Sequence, residues 1–175
     1  MVVAGAVHVF AARGYRGATM AAVAEHAAIS PAYASKLFAS KERLFVAALE
    51  ECFERIAEAL ARAVDSALDA TPSGLLSAMA VAYADLIADR DLLMLQVHAL
   101  AATDVPAVGD AMRAGIARVV DLVSERSGAD DAHVQTFMAR GQLCHLLTAL
   151  DAFDDAGAWA ATLTAGFVHG PGTPT

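Results

Sequence analysis

Apolar residues recur along this chain every three or four positions, and no segment alternates apolar and polar residues one by one. That spacing predicts amphipathic helices and gives no support for strands. Residues 1–13 carry Val3, Val7 and Phe10 at helical spacing and stop at Gly14, a residue suited to a left-handed helix end. Thr19 then opens a short helix as its N-cap, with Met20, Val23 and Ala24 on one face. Ser30 and Pro31 open a second, an N-cap followed by a proline at the first helical position, where its missing N–H costs nothing. In this second helix Ala34, Leu37 and Phe38 are expected to point inward, and Tyr33, Ser35 and Lys36 outward. Two helices of about two turns each with small residues at the corner form a helix-turn-helix. The expected core of this three-helix head is Val7, Phe10, Met20, Val23, Ile29, Leu37 and Phe38. So small a core is marginal alone, and it is expected to lean on the helix that follows.

That helix starts at Ser40 and is predicted to reach residue 70. Phe45, Leu49, Cys52, Phe53, Ile56, Leu60, Val64 and Leu68 form its apolar stripe, with Glu50, Glu51, Glu54, Glu58 and Asp65 opposite. Thr71 and Pro72 restart the chain in a helix to residue 88, with Leu75, Leu76, Met79, Tyr83, Leu86 and Ile87 on its apolar side. Residues 92–102 are nearly continuously apolar and predict a helix buried on most sides. The next runs from Asp104 and Pro106 to Ser127 and Gly128, with Met112, Ile116, Val119, Val120 and Val123 inward. Asp130 or Asp131 caps a further helix to residue 151 along Val134, Phe137, Met138, Gly141, Leu143, Cys144 and Leu147. A last helix covers residues 158–168, with Trp159, Leu163 and Phe167, and the Gly- and Pro-rich tail 170–175 is expected to be disordered. The expected fold is all-α: a helix-turn-helix DNA-binding domain over residues 1–45, and a helical effector-binding and dimerisation domain over 46–169.

Composition narrows the classes. The mean hydropathy of +0.48 would suit a membrane protein. Alanine supplies much of it, however, and charges interrupt nearly every apolar stretch, so no membrane partner is expected. No basic segment with an apolar core and a cleavage site opens the chain, which predicts a cytoplasmic protein. Cys52 and Cys144 stand far apart and fit neither a disulfide framework nor a metal-ligand spacing, so buried free thiols are expected. The net charge of −8 argues against nucleic acid until it is divided along the chain. Arg13, Arg16, Lys36, Lys41 and Arg43 face only Glu25 and Glu42 in the first 44 residues, which leaves the head at +3 and the remainder at −11. A basic head on an acidic body confines the attraction for phosphate to one end.

The run Phe10, Gly14-Tyr15, Thr19-Met20, Val23-Ala24, Ile29-Ser30, Leu37-Phe38 and Ser40-Lys41-Glu42-x-Leu44 resembles the N-terminal domain of TetR-type transcriptional regulators. The likeness covers about the first 50 residues and is most specific from Phe38 to Leu44. It implies an operator-binding head and a divergent all-α body that binds a small ligand and dimerises. Three features depart from the family pattern. Ala28 stands where a glycine is usual, which puts a Cβ at a turn position favouring positive φ. Ser35 and Lys36 occupy a stretch where aromatic residues are frequent. The basic arm usual before the first helix is missing, so either the native start lies upstream or arm contacts to DNA are absent.

On this reading Ser30, Pro31, Ala32, Tyr33, Ser35 and Lys36 enter the major groove of double-stranded operator DNA. Tyr33 and Lys36 would touch phosphate or base edges, and Thr19 and Lys41 would hold the flanking backbone. Lys41 sits in a first helical turn, a poor place for a cation unless an acceptor faces it. Small and large residues in the last two helices (Ala139, Gly141, Leu147, Ala149, Trp159, Ala160, Ala161, Gly166 and Phe167) suit a homodimer packed through them. Tyr83, Gln96, His98, Gln142 and His145, with Met79, Met94, Met112 and Met138 near them in the pattern, are the candidate pocket for a small-molecule effector. Catalysis is not expected. Cys144 and His145 are adjacent, so a helix points them about 100° apart, and no metal set, cofactor motif or phosphate-cradling loop is present. The expected function is a ligand-responsive dimeric repressor; the alternative is a helical binding or scaffold protein whose head is a structural corner.

Overall fold

The computed structural model describes residues 2–167, and the described residues fold entirely into helices and turns. In chain order the helices are α1 (Val2–Gly17), α2 (Met20–His26), α3 (Pro31–Leu37), α4 (Lys41–Asp65), α5 (Pro72–Ile87), α6 (Arg90–Leu100), α7 (Pro106–Ser127), α8 (Asp131–Ala149) and α9 (Ala158–Thr164), with a 3₁₀ turn at Ala152–Asp154 before the last. They form two compact units, one of residues 1–55 with 90–117 and one of 56–89 with 118–175. Helices α4 and α7 each contribute to both.

The first unit holds α1 to α3, the beginnings of α4 and α7, and α6. Gly14 breaks α1 as the sequence suggests, at φ 66° and ψ 174°, after which one further turn carries Tyr15 to Gly17. The Thr19 hydroxyl accepts from the Ala22 N–H at 3.1 Å and starts α2. Between α2 and α3 the Ile29 N–H reaches the Ala24 carbonyl at 2.9 Å and the Ala28 N–H reaches that of Glu25 at 3.1 Å. This pair of bonds is a Schellman closure, and Ala28 occupies its left-handed position at φ 54°.

The head leans on its neighbours, as its small core requires. Phe45 of α4 meets the rings of Phe10 at 4.8 Å and Tyr15 at 5.2 Å, both edge-on. Helix α1 packs along α6, whose Leu92, Leu93, Leu95 and Ala99 are fully buried. A Cβ on Gly14 would lie 3.0 Å from Nδ1 of His98, so a bare backbone is what lets the two approach. Polar contacts flank this seam: His8 Nδ1 lies 2.7 Å from the Asp91 carboxylate, and Arg16 reaches the Asp104 carboxylate and the Ala101 carbonyl.

The expected head core needs correcting. Val7, Phe10 and Val23 are buried, but Met20, Ile29 and Phe38 are only half-buried and Leu37 is 47% exposed. Seven residues of α3 bury a single side chain, Ala34. The backbone then turns extended at Phe38 (φ −126°, ψ 114°), so Phe38 rather than Leu37 turns partly inward. In α7 Ile116 is exposed where it was expected inward, because Gly115 holds the inner position against Phe53.

The second unit is built from the ends of α4 and α7 with α5, α8, the 3₁₀ turn and α9. Helix α4 stops at Asp65, five residues short of its expected end, and Leu68 is fully exposed. The Ser66 hydroxyl donates to the Arg62 carbonyl at 2.9 Å, Arg126 pairs with Asp65, and the Asp69 carboxylate accepts the Thr71 N–H at 2.9 Å. These local bonds outcompete the continuing apolar period. Thr71 and Asp130 cap α5 and α8 as expected, and the His133 N–H on Asp130 holds that carboxyl below the usual aspartate range. Helix α8 ends at Ala149, and Asp151 at φ 52° turns the chain into the 3₁₀ turn. Helix α6 spans Arg90–Leu100, with Leu100 exposed at its end. Helix α9 ends at Thr164; Val168 and the tail expected to be disordered lie outside the described residues.

Candidate nucleic-acid interface

Helix α3 presents five of its seven residues, Pro31, Ala32, Tyr33, Ser35 and Lys36, on an exposed outer face, and Leu37 joins them. The Ser30 hydroxyl accepts the Tyr33 N–H at 3.1 Å, and Pro31 occupies the first turn, so the helix begins at a fixed place. Tyr33 is 50% exposed and Lys36 is exposed. Ala34 packs under the helix and fixes which face is outward. A short helix held this way offers side chains of groove-entering length over about two turns.

Of the two flanking residues, Thr19 is exposed at the start of α2, its hydroxyl already accepting the Ala22 N–H. Lys41 is half-buried: its ammonium donates to the Ala18 carbonyl at 3.2 Å and lies 4.7 Å from the centre of the Tyr15 ring. Those partners account for a cation in the first turn of α4, where the helix dipole disfavours one. Ser40 caps this helix through the Arg43 N–H at 3.2 Å. Leu37 is the residue of this face that sequence reasoning missed; a leucine beside a phenylalanine reads as core unless the length of the supporting surface is known.

The residues singled out for an effector divide between the two units. Met94, Gln96, His98 and Met112 belong to the first unit, where Gln96 donates to the Leu92 carbonyl at 3.3 Å and His98 abuts Gly14. Met79, Tyr83, Met138, Gln142 and His145 belong to the second, with Met79 and His145 buried, Met138 half-buried and Gln142 exposed. Tyr83 alone among the nine lines the cavity between α5 and α8. That cavity holds about 360 Å³, within the range of small-molecule sites. Its wall combines Leu76, Phe137 and Phe167 with the polar His133, Thr136 and Arg140. Arg140 donates to the Gly166 carbonyl at 2.9 Å and stacks over Phe167 at 4.7 Å. Positions 133, 137, 140 and 144 lie on one face of α8, so the helical period contained this wall even though polarity alone did not mark it. Burial at the same wall pushes the Cys144 thiol up, keeping it neutral. Among the described residues no group of three or more His, Cys, Asp or Glu is placed to hold a metal, and no helix is long and apolar enough to cross a membrane.

The family described as bacterial regulatory proteins of the tetR family matches residues 2–48, the segment that contains α1 to α3 and the start of α4. No curated protein sequence matches the chain. Solved structures share the fold over nearly its whole length. A TetR-like transcriptional regulator from Rhodococcus sp. RHA1 is 24% identical with a TM-score of 0.67, covering 93% of this chain and 88% of that one. The transcriptional regulator FadR from Bacillus subtilis, in complex with stearoyl-CoA, is 15% identical with a TM-score of 0.71, covering 95% and 98%. The multidrug binding protein EbrR, complexed with imidazole, is 21% identical with a TM-score of 0.66, covering 93% and 90%. At these identities the likeness is one of fold.

Proposed function

From the match of residues 2–48 to the tetR family and the geometry of α3, we propose that the chain is a ligand-responsive, dimeric repressor. Residues 1–45 would bind operator DNA, and residues 46–169 would bind the effector and dimerise. The observation that carries this reading is α3, capped by Ser30 and exposed at every residue from Pro31 to Leu37 but Ala34, on a head of positive charge. Ser30, Pro31, Ala32, Tyr33, Ser35 and Lys36 enter the major groove, with Tyr33 and Lys36 on phosphate or base edges. Thr19 and Lys41 hold the flanking phosphates.

Leu146 and Leu150 of the α8 end and Trp159 and Leu163 of α9 are exposed apolar side chains on the second unit, which supports pairing of two subunits there. A two-fold dimer spaces two recognition helices about one DNA turn apart, roughly 34–36 Å. The cavity between α5 and α8 is the effector site supported by the geometry. An effector loosens the operator complex only by as much as it prefers the non-binding arrangement of the dimer.

A salt titration of the full chain on the DNA upstream of its own gene tests the reading. Nanomolar binding that prefers this DNA over random duplex and weakens steeply with salt is expected. Binding without preference would leave a helical scaffold protein in its place.

A further inference from the structure

We infer that Leu37 reads a thymine methyl group in the operator, adding an apolar contact to the base discrimination by α3. The inference rests on the proposed role of α3 as recognition helix. Its first support is the composition of that helix, Pro-Ala-Tyr-Ala-Ser-Lys-Leu. It contains no Arg, Asn or Gln and no carboxylate, so Lys36 is its one long donor for guanine. What remains is one lysine, two hydroxyls and an apolar surface.

The second support is position. Leu37 is 47% exposed and Tyr33, four residues earlier, 50%, so the two stand one turn apart on the outer face. Ala34 closes the inner side and Phe38 takes the next inward step, so about half of Leu37 stays uncovered by the head. The thymine methyl is the one apolar group that a base pair displays in the major groove. A leucine that meets it leaves water together with the methyl, which discriminates thymine from a base lacking that group by about three- to fivefold, the effect of one buried carbon.

Uracil differs from thymine only by the methyl, so it tests the contact without altering the fold of the protein. A duplex is first selected by the full chain from a randomised library, and each thymine in it is then replaced singly by deoxyuridine. For the wild-type chain a three- to fivefold loss of affinity is expected at one position in each half-site. Leu37→Ala should bind the thymine duplex three- to fivefold more weakly and lose sensitivity to uracil at that position, whereas Leu37→Met should keep it. Melting of the variants by circular dichroism should stay within a few degrees of the wild type, since the side chain is 47% exposed. Equal sensitivity to every uracil substitution in wild type and Leu37→Ala, or none in the wild type, overturns the inference while the recognition role of α3 stands. Selection that enriches no sequence overturns both.

Discussion

Ala28 is the residue where the chain departs from what its backbone asks for. At φ 54° it closes α2 in a conformation that costs a non-glycine residue about 1–2 kcal/mol. Glycine relieves that cost and gives back about 0.5–1 kcal/mol through its freer unfolded state. Ala28→Gly should therefore stabilise the chain by up to about 1 kcal/mol, seen as a melting temperature about 2–4 °C higher for a protein of this size. The residue-level contact map of α3 is open to a paired test. Lys36→Ala should weaken operator binding severalfold and lower the slope of log affinity against log salt by about 1. Glu58→Ala, on the exposed side of α4 with only Arg62 beside it at 3.5 Å, should leave both unchanged. Equal effects from the two variants would remove Lys36 from the interface.

At the scale of elements, helix starts are legible, as are the ends marked by Gly14 and Gly128, but the end of α4 is not. Thr19, Ser30, Ser40, Thr71 and Asp130 each accept the backbone N–H three residues on, as their positions ahead of apolar runs announce. The end of α4 was misjudged because Leu68 continues the apolar period, whereas Ser66 and Asp69 bind nearby backbone groups and stop the helix. Glycines inside helices were equally silent. A Cβ at Gly115 of α7 would overlap the ring of the buried Phe53. Helix propensity alone favours alanine there by about 1 kcal/mol, but forcing a methyl into a filled core costs about 1–3 kcal/mol. Gly115→Ala should thus lower stability in urea unfolding; a variant more stable than wild type would mean that Phe53 moves aside freely.

For the whole molecule, each unit joins segments that lie far apart in the chain. The head shares its unit with α6 and the beginning of α7, from residues 90–117, and contact between α1 and α6 joins segments far apart in sequence. Gly14 against His98, His8 with Asp91 and Arg16 with Asp104 are pairs that no local pattern reveals. The proposed dimerisation belongs to this scale as well. Leu150→Glu, which sets a charge among the exposed apolar residues of α8 and α9, should shift sedimentation to the monomer mass and weaken operator binding at least tenfold, because each head then binds alone. A variant that keeps the dimer mass would move the interface elsewhere.

The sequence by itself determined the all-helical fold, the helix starts, the basic head and the identity of the residues around α3. These depend on interactions within a few positions: an apolar period of 3.6, caps three residues from their donors, charges counted by segment. Tertiary structure decided which side chains stay outside and which walls meet. Leu37 is exposed because α3 rests on too narrow a base to bury it. Of the nine residues proposed for a pocket only Tyr83 lines the cavity between α5 and α8, because that wall depends on how two helices pack and not on the polarity of either.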